Sequence, residues 1–192
     1  MTLASPRPAV TPRSEERLLH ADELIVSKTD LHGRITYANE TFRRISGYTR
    51  AELLGAPHSL IRHPDMPRCV FQLLWNELHA DREVFAFVKN LAKDGAFYWV
   101  FAHVTPSYDA SARVVGYHSN RRAPARSAIA ALEPIYARLC AVESAESDVK
   151  SAIAASTRAL QSTLAASGRS YHELIFSLLG DEQEAAHAAR KR

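Results

Sequence analysis

ELIVSKTDLHGRITYANETFRRISGYTRAELLG, residues 23–55, changes its apolar period part-way along, and that change decides the fold. ELIVSKTD (23–30) alternates loosely and is rich in β-branched side chains, which suits a strand. His32-Gly33 marks a turn and RITYAN (34–39) reads as a second strand, so the two form a hairpin. From Asn39 the spacing becomes helical. Phe42 and Ile45 lie three apart, Asn39 fits an N-cap, and Gly47 ends the helix. Thr49 and Glu52 have capping-box spacing, and Gly55 closes a second short helix.

PHSLIRHPD (57–65) reads as an irregular or single-turn piece. A longer helix follows in MPRCVFQLLWNELHADR (66–82). Pro67 suits its first turn. Val70, Leu73, Leu74 and Leu78 form one apolar face, with Phe71 and Trp75 beside it. The β-pattern returns at Glu83. EVFAFVKNLAK, the turn Asp94-Gly95, AFYWVFAHVTPSY, the turn DASA and RVVGYHSNRRA give three long antiparallel strands. The order predicts an α+β domain over residues 22–123: a five-stranded antiparallel sheet with short helices on one face.

Pro124 ends the sheet, and Ala, Ser and Glu become frequent. The chain reads as helix from Ser127 to about Ala166. Ile129, Leu132, Tyr136 and Leu139 form one seam, and Val149, Ile153, Leu160 and Leu164 another. Glu143 and Glu146 interrupt the register between them, and Pro134 is expected to kink the first stretch. A seam of this kind is expected to face a partner helix. SYHELIFSLLGDEQ reads as a last amphipathic segment. The organisation expected is a flexible leader at 1–21, the α+β domain at 22–123, a helical extension at 124–180 and a polar tail at 181–192.

Composition narrows the function. The 192 residues carry 24 basic and 21 acidic side chains, with no basic stripe, which argues against a nucleic-acid partner. The two cysteines, Cys69 and Cys140, form no CxxC and suit a reducing compartment. No apolar run approaches the roughly 20 residues of a membrane span, and the N-terminal stretch has no apolar core of a signal peptide. A cytoplasmic location is expected. There is no glycine-rich phosphate loop, no G-x-S-x-G elbow and no close set of metal-ligand residues, so no enzyme class is supported.

Strand pair, short helices and three strands, with ITYAN…F…SGY…ELLG, resemble the PAS fold. RHPDMP (62–67) and VKNLAKDGAFYWV (88–100) narrow the resemblance to the sensor domain of bacterial aerotaxis receptors. EPIYARL (133–139) is similar to the linker that follows that domain. The resemblance implies a sensor that holds FAD non-covalently between sheet and helices. Its redox state would be relayed through the C-terminal helix to a chemoreceptor-like partner or a second copy of the chain.

It also implies a candidate site. Asn39 and Asn90 match asparagines that face the flavin. Arg62 and His63 would supply donors and positive charge to a pyrophosphate. Asp65 would orient those donors, or simply cap the next helix. Trp75 and Phe87 complete the set as aromatic faces. In one respect the chain departs from the pattern. Flavin-binding relatives carry PWSG before VKN, and here Val84 stands at the tryptophan position, with Phe85 and Phe87 nearby. Haem b, with His103 as a conceivable axial ligand, and a cofactor-free interaction module therefore remain as alternatives.

Overall fold

The computed structural model of the chain describes residues 10–179. Residues 1–9 of the expected leader and the tail at 181–192 lie outside the described residues. Five strands form one sheet: β1 (Ile25–Thr29), β2 (Ile35–Ala38), β3 (Val84–Leu91), β4 (Phe97–Tyr108) and β5 (Val114–Arg122). Their order is β2-β1-β5-β4-β3 and every neighbouring pair is antiparallel. Between β2 and β3 lie α1 (Glu40–Ser46), α2 (Arg50–Leu53), a 3-10 turn (His58–Ile61) and α3 (Arg68–His79).

The short helices stop and start where their caps dictate. The Asn39 side chain accepts from Phe42 N, and Gly47 closes α1 in the left-handed conformation. Thr49 and Glu52 form the reciprocal capping box of α2. Phe42, Ile45 and Leu53 are thereby turned into the core against Ile25 and Ile35.

Register sorts the sheet into two faces. Val88, Asn90, Val100, Ala102, Ser119 and Arg121 point towards the short helices. Phe85, Phe87, Trp99, Phe101 and His103 point away. The second face is covered by the C-terminal extension, which differs from the single helix expected. α4 (Arg126–Ser144) and α5 (Val149–Ser167) form a hairpin, with Asp148 capping α5 through Lys150 N and Ser151 N. The break falls where Glu143 and Glu146 interrupt the seam, whereas Pro134 stays inside α4. A last helix, α6 (171–179), follows.

The expected partner-facing seam is largely consumed within the chain. Ile129, Leu132, Tyr136, Leu139 and Leu160 are buried. Tyr136 Oη donates to the Phe87 carbonyl at 3.0 Å, its ring stacks on Trp99, and Phe176 packs edge-on against Phe85. The outer face of β3 and β4 is apolar enough that burying it intramolecularly outweighs leaving it to water.

Residues 13–19 also depart from the flexible reading. Arg13 N donates to Gly95 O and Arg17 N to Phe97 O, while Phe97 N donates to Glu15 O. Gly95 makes this approach possible, since a Cβ there would lie 2.3 Å from Thr11 O. Leu19 enters the core and Arg126 of α4 pairs with Glu16 at 2.6 Å.

Candidate functional site

The inner face of the sheet, the 3-10 turn and α3 enclose a cavity of about 400 Å³. α3 contributes Phe71, Leu74, Trp75 and Leu78, spaced along one helix face. Gly33 sits beside Trp75 at one edge. Its φ is +73°, and a Cβ there would come within 3.0 Å of the indole, so the turn needs glycine on both counts.

The polar groups of the cavity are unusual. Arg121 is 3% exposed on the central strand β5. Its Nε donates to Ser119 Oγ at 3.0 Å, and its Nη2 to Ser27 Oγ and to His58 Nε2, the latter at 2.7 Å. Since a guanidinium cannot accept, His58 Nε2 must carry the lone pair. Burial, and then the Arg121 charge, push the His58 pKa down to about 3, which keeps the imidazole neutral. Burial lowers Arg121 to about 10, so it stays cationic at neutral pH. Arg121 Nη1 and Asn90 Nδ2 have no hydrogen-bond partner among the described residues. No carboxylate among them pairs with Arg121.

The candidates from the sequence separate cleanly. Arg62, Trp75 and Asn90 line the cavity. Asn39 does not: its amide oxygen accepts from Phe42 N and Val26 N, and its Nδ2 donates to Leu24 O, so it ties α1 to β1. Phe87 is on the opposite face of the sheet beneath Tyr136, because its position in β3 has the wrong parity for the cavity. Phe85 shares that face, so neither phenylalanine plugs the cavity. His103 lies there too, bonded to Glu83 and stacked on Phe85, and does not reach a ligand on the inner face. Val84 is buried with Leu78 and Tyr117.

RHPDMP wraps the β3 edge from one face of the sheet to the other. Arg62 bridges Asn90 through the backbone, donates from Nη2 to Met66 O, and lies 4.3 Å over Phe71. His63 is buried edge-on to Phe97, with Nδ1 accepting from Asp65 N. Asp65 accepts from Lys89 Nζ at 2.6 Å on the outer side. It does not cap α3. That task falls to Glu143 of α4, which accepts from Arg68 N at 2.7 Å and Cys69 N at 3.1 Å.

Sequence reasoning missed Arg121, Ser27, Ser119 and His58. Strand parity carried the signal. In YHSNRR the residues at 117, 119 and 121 share a face, so one arginine of the pair must turn inward and the other outward.

A curved antiparallel sheet with short helices over one face and a cavity between them matches the family described as the PAS fold, over residues 35–121. The chain carries a PAS domain. It is 41% identical to the aerotaxis receptor of Escherichia coli K12 over 135 residues, which is 70% of this chain and 26% of the receptor. It is 32% identical to the nitrogen fixation regulatory protein of Klebsiella pneumoniae over 97 residues, 50% of this chain and 20% of that protein. The chain thus spans about a quarter or less of these relatives. Among solved structures, a light-oxygen-voltage domain studied with a flavin analogue has a TM-score of 0.51 at 20% identity, covering 57% of this chain and 82% of that one. It supports the PAS fold alone. Among the described residues, no helix is long and apolar enough to cross a membrane, and no cluster of residues could hold a metal ion.

Proposed function

We propose that this PAS domain is a redox sensor holding FAD in the inner cavity. The observation that carries the reading is a pair of buried donors without partners among the described residues, Arg121 Nη1 and Asn90 Nδ2, on the wall of a cavity of about 400 Å³. Both supply hydrogen bonds to a ligand rich in acceptors, and a flavin ring presents such an edge between apolar faces. The volume suits the tricyclic ring, and the adenosine half must extend beyond it. Bound flavin would supply reversible two-electron chemistry. Arg62 and Trp75 line the same cavity; they are proposed to hold the ligand, while Leu74 and Leu78 exclude water.

The route outwards runs through α3. This helix forms one cavity wall, and its N-terminus is held by Glu143 of α4, whose Oε1 also accepts from Ser156 Oγ of α5 at 2.8 Å. A change in how the ligand packs on α3 shifts the population of arrangements of the helical hairpin. We propose that a chemotaxis-type signalling partner in the cytoplasm, or a second copy of the chain, reads that change. The similarity to the aerotaxis receptor supports this choice, because 135 matched residues run beyond the PAS match at 35–121.

Absorbance of the freshly purified protein tests the reading. Flavin bands near roughly 370 and 450 nm are expected. A preparation that is colourless, and remains so after incubation with FAD, overturns it and leaves a docking module.

A further inference from the structure

Arg121 is a buried charge on the cavity wall for which the described residues supply no counter-charge. A buried guanidinium is ordinarily held by a carboxylate, since a buried charge without a counter-charge is costly. Here its three contacts, Ser27, Ser119 and His58, are neutral. They orient the group without neutralising it, and Nη1 has no partner among the described residues. The Phe42 ring, 5.1 Å from the guanidinium carbon, adds only a face of weak negative potential. The arrangement is a preorganised cation waiting for an electron-rich partner.

We propose that Arg121 receives the pyrimidine edge of the bound flavin and favours its reduced, anionic state over the oxidised one. The inference rests on the FAD reading above and deepens it. When two electrons and one proton enter the neutral ring, the proton goes to N5 and one net negative charge remains on the N1–C2 carbonyl edge. A fixed cation beside that edge binds the product of reduction more tightly than the oxidised ring. The pyrophosphate offers the same anionic-oxygen chemistry, but position favours the ring. Arg121 projects from the central strand into the depth of the cavity, among Val88 and Ala102, where a hydrated diphosphate would be stripped of water. Because His58 accepts from Nη2 in its neutral form, the guanidinium keeps its full charge for the ligand.

The test measures two quantities on wild-type protein, Arg121→Met and Arg121→Gln. The first is affinity for FAD and for riboflavin, which lacks phosphate, by fluorescence quenching. The second is the midpoint potential of the bound flavin, with electrons supplied by a chemical reductant and a reference dye. Gln keeps a donor for Ser27 and removes the charge, so the comparison survives if the Met variant does not fold; a thermal melt without flavin reports folding of each. Affinity for FAD and riboflavin is expected to fall by the same factor. Reduced flavin should lose at least about tenfold more than oxidised flavin, which lowers the potential by about 30 mV. A potential unchanged in the folded variants, or a loss confined to FAD with riboflavin unaffected, overturns this inference and leaves the FAD reading standing. A wild-type protein that binds neither flavin overturns both.

Discussion

His58 shows how one side chain becomes a liability in acid. Its imidazole is held neutral by burial and by the Arg121 charge, at a pKa of about 3 against 6.5 when unfolded. For a base whose folded pKa is depressed, the unfolded chain takes up the proton first as pH falls. Its stability contribution is therefore complete above pH 6.5 and is lost progressively between there and about 3. At pH 5 the loss reaches up to about 2 kcal/mol, from roughly 1.4 kcal/mol per unit. His58→Gln keeps an acceptor for Arg121 but does not titrate. Denaturant unfolding of both proteins at pH 7 and pH 5 is expected to show wild type losing more stability than the variant, by up to that amount. The remaining groups, His63 among them, are common to both proteins and cancel. Equal losses would mean that His58 is protonated in the folded protein and does not accept from Arg121.

At the scale of elements, local signals were legible and long-range ones were not. Asn39, Gly47 and the Thr49–Glu52 pair fix their helix ends within a few residues of chain, and the structure places them where the spacing predicts. α3 is different. Pro67 at its N-cap offers no side-chain bond, and the acceptor for its first amides comes from Glu143, 75 residues away. Spacing around α3 cannot reveal such a partner. In its own helix Glu143 reads only as a charge that spoils an apolar seam. Yet it satisfies Arg68 N, Cys69 N and Ser156 Oγ at once, and faces the positive end of the α3 dipole. Glu143→Ala is expected to cost about 0.5–2 kcal/mol, the range for losing a helix cap. It should also speed hydrogen exchange at the amides of Arg68 and Cys69 ahead of the β4 and β5 amides. Unchanged protection at those two positions would show that Glu143 does not join α4 to the cavity wall.

For the whole molecule, the two faces of the sheet do different work. The inner face keeps a cavity with donors unpaired among the described residues, whereas the outer face is a packed apolar surface closed by the chain's own C-terminal helices. Near-continuous apolar runs make both faces of β3 and β4 apolar in the sequence, so the runs alone do not tell the cavity side from the packed side; the register shows that Phe87 belongs beneath Tyr136. This changes what removal of the helices should do. A seam free for a partner would be dispensable to the PAS domain. Here, ending the chain at residue 125 would uncover Phe87, Trp99 and Phe101, each at most 4% exposed, and strip Glu143 from α3. Burial of a large aromatic side chain is worth about 1.5–3 kcal/mol, so losing cover from several approaches the whole stability of a small domain. The truncated protein is expected to melt at lower temperature, to self-associate through the bared face in light scattering and, on the proposed FAD reading, to bind flavin more weakly because α3 has lost its anchor. A monodisperse monomer with the melting temperature of the full chain would show that the helices lie on the sheet without supporting it.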